Sequence, residues 1–334
     1  MGQKTNLNSE QIRKQSEAAY GQWCEQWRRH ATHHSKYEMK PLENMRFSGV
    51  GRPILLVANG YSLEQNIETV KEYSGKVDIM CCDKTLGHLL DNDIIVNYCM
   101  VCDANVDYEK YMEKYKDRLE NTTLFINVCA NPKWTDNGNW KDRYFFVNKD
   151  ILKSEKEFCE LSGCGNVIPA STNVSNAMVV FMTQSDERGR QNFFGYDKMV
   201  LIGFDYSWLL TGHYYAFNKS GDGKMNYMRH MLGYDANGKL GCTSQNLLFS
   251  AKWLKDYITV FNLPVIQCSQ EAVTGIEKTG DLAEQLDYEF RTDDSEKAKM
   301  LIKTVAEASN TLKRTKKMLT SLFENHENNM LKTA

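Results

Sequence analysis

Long apolar runs are missing from this chain. The stretch Met178-Val179-Val180-Phe181-Met182 falls far short of the roughly 20 residues a membrane-spanning helix needs. The opening MGQKTNLNSEQIRKQ offers no apolar segment of the signal-peptide kind. An excess of one charge is missing too: 41 Lys and Arg stand against 43 Asp and Glu, for a net charge of −2. No global field therefore draws the chain to nucleic acid or to an anionic membrane. Any phosphate must be held by local geometry. The expectation is a cytoplasmic protein with neither nucleic acid nor an integral membrane segment among its partners. A second C-x-x-C is also absent. Cys99 and Cys102 form the first, but they lie in a strand-like run where alternation sends the two thiols to opposite faces. With Cys81, Cys82 and Cys129 in similar apolar runs, they read as reduced core thiols and not as a metal or redox site.

What is present is a globular α/β pattern. Hydrophobic residues make up 42% and charged residues 25% of 334 positions, ordinary values for a chain with a real core. Residues 9–36 read as a helix opened by Ser9, with His30, His33 and His34 at a solvated end. From Pro53 onward, short apolar runs alternate with helical stretches. Ile54 to Ala58, Val77 to Cys82, Tyr98 to Cys102, Leu124 to Cys129, Tyr144 to Val147, Met199 to Ile202 and Val265 to Cys268 have the continuous character of strands buried on both faces. Such alternation predicts a Rossmann-like, doubly wound, mostly parallel sheet. Beyond Ser295 there is neither Gly nor Pro, and Leu301, Val305, Ala308, Leu312, Thr315, Leu319 and Leu322 keep a heptad seam. The expected organisation is an N-terminal helical segment (1–45), a catalytic α/β domain (46–285) and a long C-terminal helix (286–334) able to join subunits into a homo-oligomer.

In a doubly wound sheet, ligands bind beyond the carboxyl ends of the strands. The residues there are Asn59, Gly60 and Ser62; Asp83 and Thr85; Asp103; and Gly203 and Asp205. The first turn carries no Lys in phosphate-loop register and no G-x-G-x-x-G. It still offers Gly60 for close backbone approach and a helix start suited to an anion. A second cradle is predicted at Ser171-Thr172-Asn173, where small polar residues open an apolar helix. A third element runs from Gly203-Phe204-Asp205-Tyr206 into a loop rich in Gly, His and Tyr. Its aromatic residues can wall a sugar, and His213 or His230 can move a proton near neutral pH. Asp205, taken as an open-rim carboxylate, is expected to tolerate replacement by Asn without loss of stability.

The turn Val57-Ala58-Asn59-Gly60-Tyr61-Ser62-Leu63 resembles the strand–Gly-x-Gly-Pro-Ser-Leu turn of the MptE-like family, which includes archaeal 6-hydroxymethylpterin diphosphokinases and the bacterial motility accessory factors (Maf proteins). Asp83 and Asp103 after strands, the Ser171-Thr172 helix start, Leu201 to Asp205 and Thr274-Gly275-Ile276 follow in the same order. Gly203 to Tyr206 with Tyr215-Ala216-Phe217-Asn218 is also similar to paired motifs of bacterial α-2,3-sialyltransferases. Departures are Tyr61 in the family's proline position, Ala58 for the first glycine, and Asp83 where the sialyltransferases have an amide. The resemblance implies a transferase that moves a nonulosonic (sialic-type) acid from a CMP-linked donor to a glycan or protein acceptor. Asn59, Gly60, Ser62, Asp83, Thr85, Asp103, Ser171, Thr172 and Gly203 would hold the nucleotide. Tyr206, Tyr215 and Asn218 would contact the substrate, and His230, His213 and Asp205 would be catalytic, with no cofactor required. Two alternatives stay open: diphosphoryl transfer from ATP with Asp103 and Asp205 on Mg²⁺, and a non-catalytic binding or assembly module.

Overall fold

The computed structural model describes residues 4–149, 152–183, 193–209, 216–217, 230–234, 240–269 and 280–287. His213, Tyr215, Asn218, the Thr274-Gly275-Ile276 stretch and the heptad segment lie outside them.

The apolar runs become strands: β1 Pro53–Val57, β2 Asp78–Cys82, β3 Tyr98–Val101, β4 Thr123–Asn127, β5 Asp142–Lys149, β6 Val167–Pro169, β7 Lys198–Ile202, β8 Trp208–Leu209, β9 His230–Tyr234, β10 Leu240–Ser244 and β11 Val265–Gln267. Between them lie α1 Lys4–His34, α2 Tyr61–Gln65, α3 Ile67–Glu72, α4 Asp83–Asp91, α5 Tyr108–Met112, α6 Lys133–Asp136, α7 Glu155–Ser162, α8 Val174–Thr183, α9 Gln245–Phe261 and α10 Leu282–Leu286. Eight strands form one sheet in the order β11-β7-β1-β2-β3-β4-β5-β6, and every neighbouring pair in it is parallel. The fold is thus a Rossmann-like α/β sheet with helices on both faces. A separate antiparallel sheet, β8-β10-β9, follows β7 in the chain.

Both faces of the large sheet are covered, which is why its strands read as unbroken apolar runs instead of alternating ones. Leu55, Val57, Ile79, Val101 and Ile126 point to one side and join Val70 of α3 with Leu86 and Leu89 of α4. Ile54, Leu56, Met80, Met100 and Phe125 point to the other, against Phe181 of α8 and Leu254 of α9. Each such fully buried side chain contributes about 1.5–3 kcal/mol. The two halves of the core fix the sheet that carries the site.

Strand order locates the crevice. From β1 the chain winds steadily outward to β6, then crosses back to lay β7 on the opposite side of β1. The direction of winding thus reverses between β1 and β7, the switch point of a doubly wound sheet, beyond whose carboxyl ends ligands bind.

The end of α1 is solvated only in part: His33 is partly exposed and His34 is not, which departs from the sequence expectation. His34 is fully buried, with Nδ1 2.8 Å from the Val128 carbonyl oxygen. His30 meets the Cys129 carbonyl at 3.0 Å, and His33 meets Asp136 at 3.0 Å. Burial drives His34 down to about 4. Further along α1, Arg28 and Tyr20 grip Glu157 of α7, and Trp27 packs edge-on against Phe158. The histidines anchor a helix individually and do not converge. Among the described residues, no group of three or more His, Cys, Asp or Glu side chains could hold a metal ion. No described helix is long and apolar enough to cross a membrane.

Candidate functional site

The site is framed by a junction between the turns that follow β1 and β7. Gly203 adopts φ 77°, and a Cβ there would run into the Ala58 carbonyl. Its carbonyl accepts from the Gly60 N–H at 2.9 Å, and its own N–H donates to the Ser62 hydroxyl at 3.0 Å. Ser62 in turn donates its N–H and its hydroxyl to the two oxygens of Asp205, at 2.7 and 2.5 Å. Gly60 is required because a Cβ would strike both the Asp205 carboxylate and the Gly203 carbonyl. Ser62 is buried and Asp205 is only 1% exposed. Asp205 is therefore not an open-rim carboxylate. It is the acceptor that ties two strand-end turns together.

In front of this junction lies a cavity of about 420 Å³, within the range of small-molecule sites. Asn59 and Gly60 come from the end of β1, Asp83 and Lys84 from β2, Asp103 from β3, and Gly203, Phe204 and Tyr206 from β7. Ser171, Thr172, Asn173, Val174 and Ser175 bring the start of α8 to the same space. Five strand or helix ends thus converge as the sheet topology requires. Ser62, Thr85 and Asp205 are not among the lining residues. The Thr85 side chain is buried, with its hydroxyl 3.0 Å from the Cys82 sulfur. Its place in the nucleotide set is therefore corrected to a support beneath the β2 end.

The charged side chains lining the cavity are Asp83, Lys84 and Asp103. Asp83 is 3% exposed, and its Oδ1 accepts the Lys84 N–H at 2.7 Å. Burial raises it to about 6; the Lys84 N–H bond and charge oppose the shift, and the Asp103 carboxylate adds to it. Asp103 is exposed, and one of its oxygens takes the Asn105 N–H at 2.8 Å. Burial also pushes the Cys82 thiol up to about 12 and holds the Cys102 thiol well above its ordinary range. Both sulfurs line the wall as apolar surface, not as nucleophiles.

The opposite wall is the N-terminus of α8. Asn173 caps it, accepting the Asn176 N–H on Oδ1 at 2.8 Å, and the Asn173 carbonyl receives the Ala177 N–H at 2.9 Å. Val174 and Ser175 precede that first intrahelical bond, so their amides point out of the helix start with its positive dipole end. Thr172 accepts from Asn176 Nδ2 at 2.7 Å, leaving its hydroxyl hydrogen to donate. The Ser171 hydroxyl is spent on the Asn173 carbonyl at 3.0 Å. Asn176 also receives the Tyr206 hydroxyl and donates to the Ser250 carbonyl at 2.9 Å. Tyr206, held at φ 51°, therefore lines the cavity with its ring while its hydroxyl is occupied.

Asn59 is distinct in carrying a buried side-chain oxygen with no hydrogen-bond partner. His230, expected on a loop, instead opens β9 opposite Ser244 of β10. Reading the sequence alone missed Lys84, Asn148 and Trp208 in the lining, and Asn176 as the hub behind it. Lys84 could have been found from its place next to Asp83, whereas Asn176 sits within an apolar helix and gives no local signal.

The fold is similar to that of a MAf glycosyltransferase from Magnetospirillum magneticum AMB-1, with a TM-score of 0.57 and 16% sequence identity. The likeness covers 84% of this chain and 42% of that one, so the chain spans less than half of that protein's length. A comparison with curated proteins finds no match. Residues 25–209, more than half of the sequence, match the family described as 6-hydroxymethylpterin diphosphokinase MptE-like; the chain belongs to the MptE-like family.

Proposed function

We propose that this chain is a glycosyltransferase whose cavity holds a nucleotide-activated donor, a CMP-linked nonulosonic (sialic-type) acid, and passes the sugar to a hydroxyl of a glycan or protein acceptor. The observation that carries this reading is the convergence of the α8 N-terminus and the Asn59-Gly60 turn on one cavity at the switch point. A helix start in that position favours an anion without a cluster of basic side chains. The fold likeness to a MAf glycosyltransferase and the Tyr215-Ala216-Phe217-Asn218 resemblance support the sugar-transfer chemistry.

In this reading the donor phosphate sits against the amides of Val174 and Ser175 and the Thr172 hydroxyl. As the bond from the sugar carbon to the phosphate oxygen lengthens, charge grows on that oxygen, and fixed donors stabilise it there. The acceptor oxygen forms the new bond to the same carbon, its proton passes to His230 or His213, and CMP leaves with the electron pair. Asp205 supports this arrangement from behind through Ser62. Its two oxygens are engaged there, so it does not fit the ligand role that diphosphoryl transfer would give it beside Asp103.

Thermal shifts with CMP, CMP-sialic acid, ATP and ATP plus Mg²⁺ test the reading. A ligand that binds only the folded state stabilises it by about 2.7 kcal/mol at a hundred times Kd. The expected result is a cytidine-dependent shift that metal does not alter. A shift seen only with ATP and Mg²⁺ would replace sugar transfer by diphosphoryl transfer, with Asp83 and Asp103 as the acidic pair facing the metal.

A further inference from the structure

We propose that Asn176 is a positioning residue of the site: buried behind the start of α8, it fixes the sense of a hydrogen-bond chain so that the Thr172 hydroxyl gives its hydrogen to the phosphate of the bound nucleotide. This rests on the nucleotide reading above and names the buried residue that sets the polarity of its phosphate subsite.

Asn176 has no exposed surface, and each of its side-chain groups is engaged. Nδ2 donates to the Ser250 carbonyl of α9 at 2.9 Å and to the Thr172 hydroxyl at 2.7 Å. Oδ1 receives the Tyr206 hydroxyl. A carbonyl oxygen accepts and never donates, so the Ser250 contact fixes which end of the amide is the NH₂. The second Nδ2 hydrogen then falls on Thr172, whose oxygen must accept it. Oδ1 falls to Tyr206, which must donate. Burial holds that phenol well above its ordinary range, so it keeps its proton. One backbone carbonyl therefore sets the direction of every hydrogen in the chain.

Thr172 lines the cavity, and among the described residues Asn176 is its one hydrogen-bond partner. Its hydroxyl hydrogen is turned away from Asn176. The neighbouring hydroxyls differ. Ser171 gives its hydrogen to the Asn173 carbonyl at 3.0 Å, and Ser175 gives its own to Asn173 Oδ1 at 2.9 Å. Of these three hydroxyls, only that of Thr172 keeps a hydrogen for a ligand. The group that meets it must accept, as a phosphate oxygen does, and the outward amides of Val174 and Ser175 ask the same of it. With the Asn176 amide reversed, Oδ1 would face Thr172. The hydroxyl would then donate inward and offer the phosphate only lone pairs. Asn176 thus sets what kind of atom this wall accepts, without touching the ligand.

The test is equilibrium binding of CMP, UMP, AMP and GMP, each beside its nucleoside, to the full chain and to Thr172→Val, Thr172→Ser, Asn176→Leu and the double variant Thr172→Val with Asn176→Leu. Thr172→Val should weaken the monophosphate about tenfold, the contribution of one charge-assisted hydrogen bond, and leave the nucleoside unchanged. Thr172→Ser should keep the wild-type ratio. Asn176→Leu should weaken the monophosphate several-fold with the nucleoside again unmoved, and add nothing further in the Thr172→Val background. A side chain that only holds α8 in place would weaken nucleoside and monophosphate alike, in either background; that result would overturn the proposal. If Asn176→Leu fails to fold, the Thr172 pair decides: loss with Val and retention with Ser upholds the outward hydrogen, and wild-type binding by Thr172→Val overturns it. If a purine monophosphate binds and CMP does not, the cytidine donor falls, and the same cycle on that nucleotide decides the role of Asn176. No binding of any mononucleotide would overturn both.

Discussion

Asp83→Asn should make the protein more stable at neutral pH, although it removes a charged residue from the heart of the site. Asp83 is 3% exposed, and burial is the main reason its carboxyl titrates at about 6 instead of the usual 3.8. A difference of roughly 2 pH units corresponds to about 3 kcal/mol of penalty on the ionised form. The sign follows from which state binds the proton more tightly. The folded state does, so folding is penalised in full above about pH 6 and the penalty vanishes below the unfolded value of 3.8. The amide oxygen of Asn can still accept the Lys84 N–H, so the variant removes the charge and keeps the bond. Urea unfolding of both proteins should then show the variant ahead by up to about 3 kcal/mol near pH 7.5, with the gap closing towards about pH 4. Taking the difference cancels every other titrating group, including His34, whose effect runs the other way over the same range. A variant no more stable than wild type at neutral pH, or a gap that does not change with pH, would refute the account. The carboxylate would then have a stabilising partner that outweighs its desolvation.

His34 supplies an opposite acid response. Its folded value is depressed from 6.5 to about 4, so stability is full above about pH 6.5 and falls by about 3 kcal/mol as pH drops through 4; His34→Gln should flatten that loss in acid unfolding curves. Breaking the turn junction should act on folding first: Ser62→Ala and Asp205→Asn each destabilise by about 1–3 kcal/mol, measured as a lowered urea midpoint at unchanged slope. A normal midpoint for Asp205→Asn with ligand binding lost would return Asp205 to the open rim.

The strands were legible where burial on both faces wrote itself as consecutive apolar residues. Ile54 to Val57, Ile79 to Cys82 and Met199 to Ile202 carry that signature, and each lies in a parallel pair. The β8-β10-β9 sheet was not legible. His230–Tyr234 and Leu240–Ser244 each include a glycine, Gly233 and Gly241, and those glycines are paired with each other. Position was legible further than role. Asn59, Gly60, Asp83, Asp103, Ser171, Thr172, Gly203 and Tyr206 share one cavity, because a residue just past a parallel strand has few other places to go. Whether its side chain faces the cavity or the turn behind it depends on partners distant in sequence. Ser62 and Asp205 are 143 residues apart, and nothing local to either shows the bond.

That division between frame and chemistry has a physical basis. Where β1 and β7 run side by side, their turns approach so closely that both Gly60 and Gly203 lack room for a Cβ. Backbone brought that close leaves the Gly203 N–H in need of an acceptor away from water, and Ser62 provides it. A hydroxyl that accepts there must donate elsewhere, and Asp205 receives it. The acidic residue that looks most catalytic by position is thus drawn inward by the hydrogen-bond needs of the junction. Asp83 has no such claim on it. It stands at the end of the neighbouring strand, β2, and lines the cavity. In this switch-point crevice the carboxylate beside the crossing glycines is drawn into the frame, and the one at the next strand end lines the cavity.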